Sequence, residues 1–245
     1  MSSSLSPNDR SCYTLSPRHL LASRPSKSLL VDLHGSGSCA SAHAETSKFM
    51  GIAYNSIIVW PQSLSTIDAW RATDLVADDE FIQQIVADIA SRLNDGVDLT
   101  RVYVTGHAEG CRFAQRLIAQ GSASGLVAAA ACTSAALSAE PLPSTFLATP
   151  LMLVHGMLDT LEPFTGRPPP PLSSSSSSAA TGSVFQPSAV ESAASWAIFN
   201  GCPTSGFAAG PPLVDSACAS GSEGTVSDHP STTPLPRLYH ASHST

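Results

Sequence analysis

The chain has 245 residues, 42% of them hydrophobic, and a mean hydropathy of +0.09, which is enough apolar material for one sizeable core and excludes global disorder. Charged residues are only 13% of the total, and 12 Lys+Arg against 19 Asp+Glu leave a formal net charge of −7, which argues against nucleic acid as a partner. The longest apolar run, Leu126–Cys132, falls far short of the ~20 residues of a bilayer span, so no membrane association is expected.

In chain order, the start MSSSLSPNDRSC has no charged segment followed by an apolar one, and a secretory signal is not expected in it. Ser28–Leu33 (SLLVDL) predicts a buried strand that ends at His34-Gly35, and Asn55–Trp60 predicts a second, stopped by Pro61. The spacing of Phe81, Ile82, Ile85, Val86, Ile89 and Leu93 predicts a helix over 79–93, capped by Asp78 and ended by Asn94-Asp95-Gly96. Arg101–Thr105 predicts a strand running through Gly106-His107-Ala108-Glu109-Gly110 into a helix from Cys111 to about Gln120. Leu126–Ala131 and Leu151–His155 predict further buried strands, and Ser188–Phe199 a late helix. Between Thr165 and Pro187, four prolines (168–171) and six serines (173–178) predict a disordered insertion, because such a composition cannot offset its ordering entropy. Residues 203–236 give only weak strand signals. The alternation of strands and helices predicts a single α/β domain over 1–245, its mostly parallel sheet covered by helices on both faces and interrupted by the insertion at about 165–187.

Six cysteines stand at 12, 39, 111, 132, 202 and 218 without the CxxC pairs of a zinc site, so no metal is expected. Their spacing leaves reduced thiols and one or two disulfides as open alternatives. In an oxidising compartment the expected pair is Cys202 with Cys218, in the tail where apolar contacts are few.

The chemistry is concentrated at 106–110. A G-x-S-x-G turn between strand and helix holds a nucleophilic serine above an α/β-hydrolase sheet, and here the frame Gly106…Gly110 is intact while Ala108 stands at the centre. VDLHGSG (31–37) places His34-Gly35 after a strand, where an oxyanion loop sits, and LMLVHGMLDTLEPF (151–164) places Asp159 after another, where the acid of a triad sits. With RSCYTLSP, IIVWPQSL, the DAW ending at Trp70, DDEFIQQIVADI, RVYVTGHAEGCRFAQRL and SWAIFNGC, these segments follow one another from Arg10 to Cys202. The chain resembles the α/β-hydrolase esterases that include polyhydroxybutyrate depolymerases and feruloyl esterases.

That resemblance implies an α/β-hydrolase fold and a secreted serine carboxylesterase acting on small-molecule or polymeric esters, with no cofactor. Ala108 occupies the nucleophile position, so the attacking oxygen is lost. Asp159 matches the acid, the N–H groups of Ser36 and Glu109 match the oxyanion hole, and His243, after Leu238-Tyr239, is the candidate histidine. Asp79 and Trp70 match structural positions, and His34 is expected to fix the oxyanion loop by hydrogen bonding. The expectation is a protein that is inactive or nearly so as written. The alternatives are a ligand-binding pseudoenzyme and an inactivated or truncated variant of an active esterase. The resemblance implies an extracellular location, and the missing signal leaves the cytoplasm as the alternative.

Overall fold

A computed structural model of the chain describes residues 2–5, 10–15, 27–53, 55–63, 70, 75–93, 96–120, 125–136, 144, 146–168, 185–202 and 237–241. An eight-stranded sheet organises them, with the order β1-β2-β4-β3-β5-β6-β7-β8. The strands are β1 (Ser2–Leu5), β2 (Arg10–Leu15), β3 (Lys27–Leu33), β4 (Ser56–Pro61), β5 (Val97–His107), β6 (Ala129–Thr133), β7 (Leu151–His155) and β8 (Arg237–Ala241). The central five, β4-β3-β5-β6-β7, run parallel, while β1, β2 and β8 join as antiparallel edges. Four helices connect them: α1 (Ala40–Ser47), α2 (Leu75–Leu93), α3 (Glu109–Gln120) and α4 (Ala189–Phe199). Among the described residues no helix is long and apolar enough to cross a membrane.

Period-two alternation in the strands sorts residues between two layers. Leu29, Val31 and Leu33 of β3, Ile57 and Val59 of β4, and Val102 and Val104 of β5 face α2, α3 and α4 in the main core. On the other face, Ile58 and Trp60 pack with Ala40 and Ala44 of α1. Asp32 points to this second face, where its carboxylate meets His43 of α1. A strand buried on both sides reads as a continuous apolar run, which is why SLLVDL and SIIVWP carry so few polar residues.

Several boundaries differ from the sequence expectation. Helix α2 begins at Leu75, so Asp78 stands inside its first turn instead of capping it. There its carboxylate still complements the positive end of the helix dipole. Strand β5 extends to Val97 and His107 because it pairs with β3 from Lys27↔Val97 to Leu33↔Gly106. Strand β6 starts only at Ala129, since Gly125 at φ 92 and Leu126 make a turn before it. Arg167 and Gln186 form an antiparallel bridge, which draws together the two ends of the 165–187 stretch; residues 169–184 lie outside the described residues.

The last helix is fixed at both ends. Ser188 caps α4 in a capping box with Glu191, whose carboxyl is held below the usual range by hydrogen bonds from the Ser188 backbone and hydroxyl. At the other end the buried Asn200 accepts from the Thr149 N–H at 3.0 Å and donates to the Thr149 carbonyl at 2.8 Å, tying the chain just before β7 to α4. Removing that amide strands two buried backbone groups, so Asn200→Ala should lower unfolding free energy by about 2 kcal/mol. Urea denaturation should show it as a lower midpoint at unchanged slope.

Candidate active site

The site is built where β5 meets α3. Ala108, between them, adopts φ 50, a left-handed conformation that side-chain-bearing residues seldom take, and its N–H donates to the Thr133 carbonyl at 2.9 Å. The glycines on either side have no room for a side chain. A Cβ on Gly106 would lie 2.4 Å from the carbonyl carbon of Gly110, and one on Gly110 would lie 2.3 Å from the Leu33 carbonyl oxygen. The backbone of α3 therefore passes directly against the end of β3, and residue 108 is held at the apex. With the strand order and the antiparallel β2, this elbow defines an α/β-hydrolase fold.

The loop after β3 is equally determined. His34 is fully buried; the Ser63 N–H donates to its Nε2 at 3.2 Å, so the ring proton is on Nδ1, which donates to the Gly35 carbonyl at 2.9 Å. The His34 carbonyl accepts from Trp70 Nε1 at 3.0 Å, and Trp70 stacks on Phe113 of α3 with centroids 4.8 Å apart. Arg116 of α3 donates to the Trp70 carbonyl at 3.1 Å. This seats the loop on the elbow so closely that a Cβ on Gly35 would be 3.5 Å from the Ala108 methyl.

Beside Ala108 opens a cleft of about 750 Å³ whose lining includes Ser36, Glu109, Asp32, His43, His107 and Glu162. Among the described residues, the backbone N–H groups of Ser36 and Glu109 have no protein acceptor. They come from the loop after β3 and from the residue following the elbow apex, the two sources of an oxyanion hole in this fold. Asp159 lies after β7, and its Oδ1 accepts from the Leu161 and Glu162 N–H groups at 3.0 and 2.9 Å. His243 lies outside the described residues, as does Cys218. His240 falls in β8 opposite Met152.

The side-chain network that the sequence reading passed over is on the α1 side of the cleft. Asp32, 2% exposed, holds His43 Nε2 at 3.0 Å through Oδ1 and accepts Trp60 Nε1 at 2.8 Å through Oδ2. A carboxylate in the middle of SLLVDL was the available signal, since a buried charge requires partners. Farther out, Glu162 accepts from Arg112 and Gln186 and its carbonyl from His155 Nε2 at 2.6 Å, which holds the segment after β7 against α3. Cys111 and Cys132 are buried behind the elbow; the Cys132 thiol donates to the Cys111 carbonyl at 3.3 Å, and burial pushes it well above the usual thiol range.

Neither a protein-family model nor a curated protein sequence matches the chain. Solved structures of similar shape include esterases at low identity. An acetyl xylan esterase from Aspergillus awamori aligns with TM-score 0.47 and 20% identity over 54% of this chain and 50% of its own. Esterase 2 of Thermogutta terrifontis, phosphonylated by cyclosarin, aligns with TM-score 0.49 and 19% identity over 64% of this chain and 69% of its own. A carboxylesterase from Mesorhizobium loti aligns with TM-score 0.46 and 19% identity over 60% and 71%. The chain thus spans half the length of the Aspergillus enzyme it matches.

Two outcomes follow from the site's packing. Gly110→Ala should destabilise the fold by about 3 kcal/mol or more in thermal or urea unfolding, since the clash is with backbone that cannot give way. His107, exposed at the end of β5, has its pKa lowered chiefly by partial desolvation and secondarily by His43, against opposing pulls from Asp159 and Asp32. Its neutral form is therefore favoured by folding, and the stability it contributes is full above the ordinary value of 6.5 and declines as pH falls below it toward the lowered pKa. His107→Gln should flatten that part of the stability profile measured between pH 7 and pH 5.

Proposed function

We propose that the chain has the machinery of a serine carboxylesterase of the polyhydroxybutyrate depolymerase and feruloyl esterase type, and that it holds small-molecule or polymeric esters in the cleft without turning them over. The observation that carries this reading is the elbow itself. Ala108 is kept in a left-handed conformation costing about 1–3 kcal/mol, at the point where a serine oxygen would meet the unclaimed N–H groups of Ser36 and Glu109. Such strain has a use when the residue is a nucleophile, and none when it is alanine.

In this reading Ser36 and Glu109 bind the carbonyl oxygen of an ester in the cleft, and Asp159 stands at the acid position. The attacking atom is missing. A triad enzyme without its nucleophile keeps on the order of 10³–10⁴-fold over water, about a millionth of ordinary turnover. Resemblance over Arg10–Cys202 supports the ester class and an extracellular place of action. The chemistry needs only side chains and backbone donors, with no cofactor.

The test is hydrolysis of p-nitrophenyl butyrate. The chain as it stands should release no nitrophenol above the buffer rate, and Ala108→Ser should release it with saturation kinetics. Inactivity of a folded Ala108→Ser variant would overturn the reading. So would turnover by the unmodified chain that disappears in Cys111→Ala, since the nucleophile would then be elsewhere.

A further inference from the structure

The two faces of β6 are treated differently. Ala130 and Cys132 are buried on the side of α3, while Ala129, Ala131 and Thr133 alternate with them and are only partly buried. Neighbouring strands continue this second face: Tyr103 and Thr105 of β5 stand opposite Ala129 and Ala131, and Met152 and Val154 of β7 stand opposite Ala131 and Thr133. Helix α1 packs over β4 and β2. Beyond it the sheet opens into a groove of about 470 Å³. Its floor along β6 is small, since Ala129 and Ala131 offer only methyl groups, and its sides are large, with Leu30, Phe49 and Tyr103 on one hand and Met152 and Val154 on the other.

This groove continues the cleft at the elbow, because Phe49, Thr105 and Thr133 line both. Polarity falls along it. Ser36, His43 and Glu109 stand at the cleft end, whereas no charged side chain is among the described residues that line the groove. The Thr133 hydroxyl donates to the Gly106 carbonyl at 3.1 Å, so its proton is not offered to a ligand. From Thr133 to Ala129 the floor runs four residues, about 13 Å at the rise of a strand. An extended saturated chain of about ten carbons has that reach, at roughly 1.3 Å per bond.

We propose that the groove holds the acyl chain of the ester, and that the ligands of this cleft are straight-chain aliphatic esters with acyl groups of about ten carbons. The inference rests on the esterase reading for the polar end, where Ser36 and Glu109 take the carbonyl oxygen, and adds the chemistry of the remainder. A volume of this size with an apolar lining and polar donors confined to one end matches a linear amphiphile. A compact aryl group would leave the far end, at Ala129 and Pro150, in water. Each methylene of a linear chain instead covers a further stretch of apolar floor.

The experiment uses the unmodified chain, which is expected to bind esters without consuming them. Calorimetric titration with p-nitrophenyl butyrate, octanoate, decanoate and tetradecanoate should show Kd falling about twofold or more per methylene, so that decanoate binds about 50-fold tighter than butyrate, and then levelling. p-Nitrophenyl benzoate should bind no better than butyrate. A p-nitrophenyl decanoate carrying a diazirine at the chain end should, on photolysis, label the peptides holding Tyr103, Ala129 or Met152. Ala131→Phe, which places a ring on the floor, should weaken decanoate binding about 10-fold or more, and Met152→Glu, at an exposed wall position, gives a second variant that leaves the core untouched. Binding independent of chain length, or label elsewhere, overturns the groove assignment; if Ala108→Ser then hydrolyses p-nitrophenyl butyrate, the esterase reading stands without it. A dimer that Met152→Glu dissociates and decanoate leaves intact would show a second copy on this face and overturn the assignment too. Label in the groove with a folded, inactive Ala108→Ser variant upholds the groove and overturns the esterase reading.

Discussion

Everything in the site depends on one steric constraint, the absence of space for a Cβ at Gly106 and Gly110. Because α3 leaves the sheet with its first turn pressed on the carbonyls of Leu33 and His34, the chain must reverse between β5 and α3 within a single residue. Ala108 adopts φ 50 as a consequence, against its own preference. The same closeness brings the loop after β3 over the elbow, so that donors far apart in sequence line one cleft. Without that contact α3 could stand off the sheet, and Ser36 and Glu109 would have no common site.

The sheet supplies the rigidity that this constraint needs. Five parallel strands are flanked by α1 on one face and by α2, α3 and α4 on the other, and the strand ends at Leu33, His107, Thr133 and His155 deliver their loops to the same edge. Hydrogen bonds to the loops then fix what the strands only place. His34 holds its own loop to Ser63, Trp70 holds it to α3, and Glu162 holds the segment after β7 to Arg112. A tetrahedral oxyanion is stabilised by donors that do not have to reorganise, and such bracing keeps them still.

The parts of this architecture legible in the sequence were those with a period or a fixed motif. SLLVDL and SIIVW read as buried strands because both faces are covered, LMLVH read as one from its apolar run although Met152 is exposed, and the glycine frame around Ala108 read as an elbow because only glycine fits there. Helix boundaries were less legible. The start of α2 was misplaced because Asp78, three residues inside the helix, is of the same capping type as Asp74, which directly precedes Leu75. The Asp32–His43 pair was not legible because the partners are eleven residues apart on different elements, and only the folded register of β3 against α1 brings them together. The left-handed conformation of Ala108 followed from the motif, whereas the unclaimed state of the two N–H groups did not.

The central proposal is that the elbow and the loop after β3 form an oxyanion site at residue 108, where Ala108 stands in place of a nucleophile. The most direct measurement is a crystal structure of the Ala108→Ser variant after exposure to paraoxon, with the phosphoryl group bonded to the introduced oxygen. The account requires the phosphoryl oxygen to lie within about 2.7–3.1 Å of both the Ser36 and Glu109 nitrogens. An adduct whose oxygen points to solvent, or a folded variant that forms no adduct at residue 108, would contradict it.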